Sequence, residues 1–124
     1  MHRRHPVVLF VDDNLTQLDL YTLLVERDFS VEKATRAETA FRFASAEPPD
    51  VIVLDVLLPD DDGVTLAKRL RENSSTSRVP IIVLTADDAA YVRARTSGIE
   101  FSEVLRKPCP ADRLLTAIAD AIRS

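Results

Sequence analysis

The sequence predicts an α/β fold in which one parallel sheet carries helices on both faces. Three observations predict it. Short β-branched runs alternate with segments whose apolar residues recur at helical spacing. That alternation occurs five times between Val7 and the chain end. Runs such as Val51-Ile52-Val53-Leu54 and Ile81-Ile82-Val83-Leu84 are apolar at every position, the habit of strands covered on both sides. Crossovers between such strands are expected to be right-handed.

The elements follow in order. Val7 to Val11 is the first strand, closed by Asp12-Asp13-Asn14. Asn14 with Gln17 resembles a capping pair, and Leu15, Leu18, Tyr21 and Val25 give a buried helical face that runs to about Arg27. Phe29 to Ala34 alternates as a shorter second strand. Thr35 and Glu38 form a capping box for a helix whose inner face is Ala37, Ala40, Phe41 and Ala44, and Pro48-Pro49 ends it. Val51 to Leu54 is the third strand, running straight into Asp55. Asp60-Asp61-Asp62 reads as a solvated acidic loop, and Val64, Ala67 and Leu70 mark the third helix. Asn73 to Ser77 reads as a flexible polar connection. The fourth strand, Ile81 to Leu84, ends at Thr85; a helix poor in large apolar residues spans about Asp87 to Ser97, and Gly98 terminates it. Glu103 to Arg106 is the fifth strand, ended by Lys107-Pro108. Ala111, Leu114, Leu115, Ile118 and Ile122 pattern the last helix, with Pro110 suited to its first turn.

Whole-chain properties narrow the function. A chain of 124 residues suits one domain, here 7–124 behind a flexible basic leader, 1–6. At this size roughly two-thirds of the unfolded surface is buried, enough for a real core. A formal net charge of −4 argues against non-specific nucleic-acid binding, which needs a basic face. Cys109 is the only cysteine, so neither an intrachain disulfide nor a cysteine metal cluster is available, and a reduced, cytoplasmic protein is expected. It reads as a small, partly buried hydrophobe. The apolar run after the leader is too short for a signal peptide, and no segment is long enough to span a membrane. His2 and His5 lie in the leader and receive no catalytic role.

In a parallel sheet all strand C-termini share one edge, where ligands bind. That edge collects Asp12 and Asp13 from the first strand, Asp55 from the third, Thr85 from the fourth and Lys107 from the fifth. Clustered carboxylates stay ionised together only beside positive charge. Lys107 supplies one, and a hard divalent cation supplies more. Mg²⁺ suits oxygen ligands and habitually takes one or two carboxylates together with water and phosphate oxygens. The rim therefore suits a carboxylate, a metal and a phosphoryl group.

Asp12-Asp13, Asp55 with Pro59 and Gly63 behind it, Thr85-Ala86 and Lys107-Pro108 together resemble the receiver domain of two-component response regulators, across residues 7–123. The resemblance implies a flavodoxin-like (βα)5 three-layer sandwich with strand order 2-1-3-4-5. It implies that Asp55 accepts a phosphoryl group from the phosphohistidine of a sensor histidine kinase or phosphotransfer protein. It further implies Mg²⁺ bound by Asp13, Asp55 and the Leu57 carbonyl, with Asp12 acting mainly through water. Lys107 would pair with Asp55 and then with the phosphoryl group, across a cis Lys107-Pro108 bond. Thr85 would move to the phosphoryl group, for which the small Ala86 leaves room. Leu57 and Asp87 would flank the path of an attacking water. Homodimerisation or output binding would use the face of helix four, strand five and helix five. Nucleic acid and membrane are not expected partners.

Three positions depart from the family pattern. Val104 stands where many receivers carry Tyr or Phe, Gly98 lies nine residues before Lys107, a longer spacing than usual, and Cys109 replaces a common Phe. Phe101 and Tyr91 are the candidates to stand in for the missing aromatic. These departures predict partner binding unlike that of the commonest transcription-factor receivers. Two other functions compete. One is a degenerate receiver serving only as an interaction or dimerisation module. The other is an aspartyl-nucleophile phosphatase, which the family's Asp-x-Asp pattern disfavours because Asn14 stands two after Asp12. A non-enzymatic phosphoacceptor is the expected reading.

Overall fold

The structure is a computed structural model, and it describes residues 5–124. Most of the expected leader, residues 1–4, lies outside the described residues. The elements are β1 (Val7–Val11), α1 (Leu15–Val25), β2 (Ser30–Ala34), α2 (Ala37–Ala46), β3 (Val51–Leu54), α3 (Gly63–Glu72), β4 (Ile81–Thr85), α4 (Asp88–Arg95), β5 (Glu103–Arg106) and α5 (Ala111–Arg123). The strands pair in parallel in the order β2-β1-β3-β4-β5. The expected alternation, sheet and strand order are all present. The chain reverses its direction of travel across the sheet between β1 and β3, which makes their C-terminal ends the switch-point crevice.

Alternate strand residues feed two layers. Val8, Phe10, Val51, Val53, Ile82 and Leu84 pack beneath α1 and α5. Leu9, Val11, Ile52, Leu54 and Ile81 pack beneath α2 and α3. Val83 and Val56 meet Ala90 and Ala94 of α4. Small residues on α4 let that helix lie close to the sheet, which explains its weak apolar pattern in the sequence. The helix α4 ends earlier than expected, at Arg95 with Thr96 as its C-cap, and Gly98, with a φ of +82°, turns the chain two residues further on.

Four local expectations change in three dimensions. Leu15 is 65% exposed, because α1 begins at the sheet rim where no layer covers it; Leu18, Tyr21 and Val25 carry the buried face alone. The Thr35–Glu38 box is absent: Arg36 holds the N-cap position of α2 without a side-chain cap bond. The carboxylate of Asp60 takes its place, accepting from the Ala37 and Glu38 amides at 2.7 and 3.0 Å. The run Asn73 to Ser77 is tied down, since the fully buried Thr76 hydroxyl donates to the Leu70 carbonyl at 2.7 Å and the Asn73 amide donates to Ser45. Pro110 sits at the N-cap of α5, one residue ahead of its first turn. Among the described residues no helix is long and apolar enough to cross a membrane.

Candidate functional site

Register builds the site. The last paired residues of β1 and β3 are Val11 and Leu54, so Asp12 and Asp55 leave the sheet side by side. The Asp55 amide donates to the Val11 carbonyl at 2.9 Å, which holds the acid against β1. At the other side β4 and β5 end on the Thr85–Arg106 pair, and the Lys107 amide donates to the Thr85 carbonyl at 2.9 Å. Lys107 is thereby delivered to the same edge, and the Lys107-Pro108 bond is cis as expected.

One ammonium joins the two acids. Lys107 Nζ lies 2.7 Å from Asp12 Oδ2 and 3.3 Å from Asp55 Oδ2, with side-chain exposures of 14%, 5% and 12% for the lysine and the two acids. The second Asp12 oxygen accepts from the Asn14 amide at 2.9 Å, and the second Asp55 oxygen accepts from the Leu57 amide at 3.2 Å. Burial works against the lysine charge. The hydrogen bond and charge of Asp12, followed by Asp55 and Tyr21, outweigh it and raise the ammonium above its ordinary 10.5. Lys107 therefore stays charged throughout the physiological range. Removing charge from such a pair strands the partner in a poorly solvated place.

The remaining expected residues lie outside this ion pair. Asp13 is exposed, as are Ala86 and Leu57, the last by 49%. Thr85 is 1% exposed, and its hydroxyl accepts from the Asp87 amide at 3.3 Å. It is thus turned to the start of α4, where the Asp87 carboxylate caps the helix through the Ala90 amide at 2.8 Å. Asp12, Asp55 and Lys107 are brought together by direct contacts; Asp13, Thr85 and Ala86 are not part of that ion pair. Among the described residues no three acid, thiol or imidazole groups gather into a metal cage of their own. The donor set fits Mg²⁺ nonetheless, since that ion completes its shell with water and phosphoryl oxygens.

Three further residues shape the site. Gly63 opens α3 against the acceptor's own backbone: a Cβ there would lie 2.6 Å from the Asp55 carbonyl oxygen and 2.7 Å from the Val56 Cα. Its place eight residues after Asp55 was visible in the sequence; the crowding that requires glycine was not. Asp62 caps α3 through the Val64 amide at 2.7 Å and meets Arg93 of α4 at 2.9 Å. Tyr21, which reads in sequence only as a core position of α1, stands behind Lys107, with the ammonium 5.9 Å from its ring centroid. On the α4–β5 side, Val104 is half-buried and packs with Phe101 against Val56, Val83, Ala90 and Ala94. Tyr91 lies under the Arg106 guanidinium at 4.2 Å, and Arg106 pairs with Asp88.

A doubly covered parallel sheet with paired acids and a lysine at its switch point defines a class of rim-site α/β domains. Comparison places this chain within that class. The response regulator receiver domain family matches residues 8–119, and the chain belongs to that family. The response regulator PleD of Caulobacter vibrioides is 31% identical over 102 residues, which take in 82% of this chain and 22% of PleD. The chain spans half or less of the first curated relatives it matches, from 12% to 49% of their lengths. Protein PilH of Pseudomonas aeruginosa, by contrast, is matched over 93% of its length at 28% identity, with 90% of this chain covered. Among solved structures, a sensor histidine kinase receiver domain from Pseudomonas aeruginosa has a TM-score of 0.88 at 25% identity, covering 98% of this chain and all of that one. That structure is described with a magnesium ion coordinated in its active site cleft.

Proposed function

We propose that the chain is a working phosphoacceptor and that Asp55 is its acceptor residue. The observation that carries this reading is the shared ammonium: Lys107 bridges Asp12 and Asp55 at the switch point, within 2.7 and 3.3 Å. An Asp55 oxygen attacks the phosphorus of a phosphohistidine on a sensor kinase or phosphotransfer protein. The P–N bond breaks, its electron pair returns to the imidazole, and Asp55 becomes an acyl phosphate. Asp13, Asp55 and the Leu57 carbonyl would hold Mg²⁺, with Asp12 behind a water. When bound, the ion neutralises phosphoryl oxygens, as this class of transfer requires. Lys107 exchanges a carboxylate for a phosphoryl oxygen, and Thr85 leaves the Asp87 amide to reach another, drawing on α4. The chain is then a signalling acceptor rather than an enzyme acting on a separate substrate, and a cytoplasmic place beside its kinase belongs to the same reading. Its output would run through the α4–β5–α5 face, where Val104 and the Tyr91–Arg106 stack make an unusual surface for a partner or a second copy.

The test is intact mass after incubation with Mg²⁺ and acetyl phosphate or a phosphorylated donor protein. The expected result is one phosphoryl group, absent without Mg²⁺ and absent in Asp55→Asn. Failure to gain mass from either donor, together with failure to bind Mg²⁺ and beryllofluoride, would leave the phosphorylation-independent interaction module instead.

A further inference from the structure

We propose that Tyr21 is a positioning residue of this site, its ring holding the Lys107 ammonium in reach of both Asp12 and Asp55. The proposal rests on the phosphoacceptor reading for its kinetic consequence and on geometry alone for its structural one.

The geometry comes from three sides. Tyr21 is fixed: its ring stacks on Phe10 with centroids 5.4 Å apart, and its hydroxyl donates to Gln17 Oε1 at 2.7 Å. It faces the lysine, with Nζ 5.9 Å from the ring centroid, inside the range over which an ammonium is attracted to an aromatic face. It also borders two spaces. On its inner side a gap too narrow for water is lined by Tyr21 with Asp12, Asp55 and Phe10. On its outer side a groove of about 470 Å³ runs between Tyr21 and the Lys107-Pro108-Cys109 turn. Tyr21 lines both spaces, beside Lys107 on the outer one and beside Asp12 and Asp55 on the inner one.

Chemistry explains why a ring beside Lys107 matters here. Lysine is a point charge on a flexible four-carbon stem, with no fork to fix its direction. A site that asks it to change partners needs something else to hold the stem. A ring does this with its face, while its hydroxyl donates to Gln17 and keeps an oxygen that can still accept. The neighbouring inward residues of α1, Leu18 and Val25, show that an aliphatic side chain satisfies the core on the same helix face.

The experiment compares Tyr21→Phe with Tyr21→Leu and Tyr21→Met, the last as a second non-aromatic filler should one variant fold poorly. Two readouts are taken. The first is the ring-current shift of the Lys107 ε-methylene in carbon–proton NMR spectra, with Lys107→Arg to assign the signal. The second is the rate of phosphoryl uptake from acetyl phosphate at saturating Mg²⁺, beside the Mg²⁺ dissociation constant. Tyr21→Phe is expected to keep shift and rate. The non-aromatic variants are expected to lose the shift and slow uptake about fivefold, the scale of one partly desolvated cation–π contact, with Mg²⁺ affinity unchanged. An unchanged Lys107 signal in the Leu and Met variants would overturn the proposal. So would a Phe variant as slow as they are, or a loss of rate that merely follows thermal stability. If the wild type takes up no phosphoryl group the phosphoacceptor reading fails, and the NMR comparison still decides whether Tyr21 positions Lys107.

Discussion

Two groups of aspartates leave the same sheet edge and do different work. Asp12 and Asp55 leave adjacent strands at matching register, so their side chains converge on one ammonium in a poorly solvated crevice. Asp60 and Asp62 lie only a few residues further along the chain, yet each turns away to a helix N-terminus. Asp60 caps α2 and Asp62 caps α3. Each acid of the first group gives one oxygen to a nearby backbone amide and the other to Lys107. The second group has its charge absorbed by backbone N–H groups and helix dipoles. Side-chain type is the same in both; strand register against loop geometry makes the difference. The capping group also serves the acceptor group, because it anchors the loop behind Asp55 to α2, α3 and, through Arg93, to α4.

The largest effect that would break this contrast comes from removing its cation. Lys107→Ala leaves Asp12 and Asp55 facing one another without a counter-charge, and a loss of about 3 kcal/mol in urea unfolding is expected without divalent ions. A loss below about 1 kcal/mol would mean that the acids are solvated like those of the loop. Next comes Asp62→Ala, expected to cost about 1 kcal/mol through its lost α3 cap. Its partner Arg93 should add little, since both side chains are more than a third exposed or close to it and surface pairs are weak. Arg93→Ala beside Asp62→Ala separates the two contributions.

The smallest effect is a pH signature of Asp60. The Ala37 and Glu38 amides, in that order, pull its carboxyl below the ordinary 3.8. A folded value below the unfolded one means that the ionised form stabilises the fold. That stabilisation is complete at neutral pH and disappears as pH falls from about 3.8 through the depressed value. Asp60→Asn should therefore unfold earlier than the wild type at pH 7, with the gap closing toward pH 3 in paired thermal scans. A gap that stays constant across that range would show that shape, and not charge, makes the cap.

Much of the fold was legible because its signals are local. β-Branched runs, helical spacing and the Asn14 cap need only near neighbours to be read, and they appear where expected. Of the candidate site, Asp12, Asp55 and Lys107 were legible because each ends a strand, and parallel strands end on one edge. The acids of the loop after β3 read as solvated, and Asp60 is exposed, but its capping role was missed because the amides it caps lie 22 and 23 residues away along the chain. Leu15 fits the apolar spacing of α1 but falls beyond the edge of the sheet that would cover it.

By itself the sequence determined the strands and helices, the one-edge collection of chemistry and the family to which the chain belongs, since each depends on residue type and spacing along the chain. Tertiary structure alone decided which acid meets Lys107 and how closely, why residue 63 has no room for a side chain, which helix Asp60 caps, and that Tyr21 stands behind the ammonium. The physical reason is that each of these depends on groups distant in the chain, which meet only once strand order and register have brought the edges together.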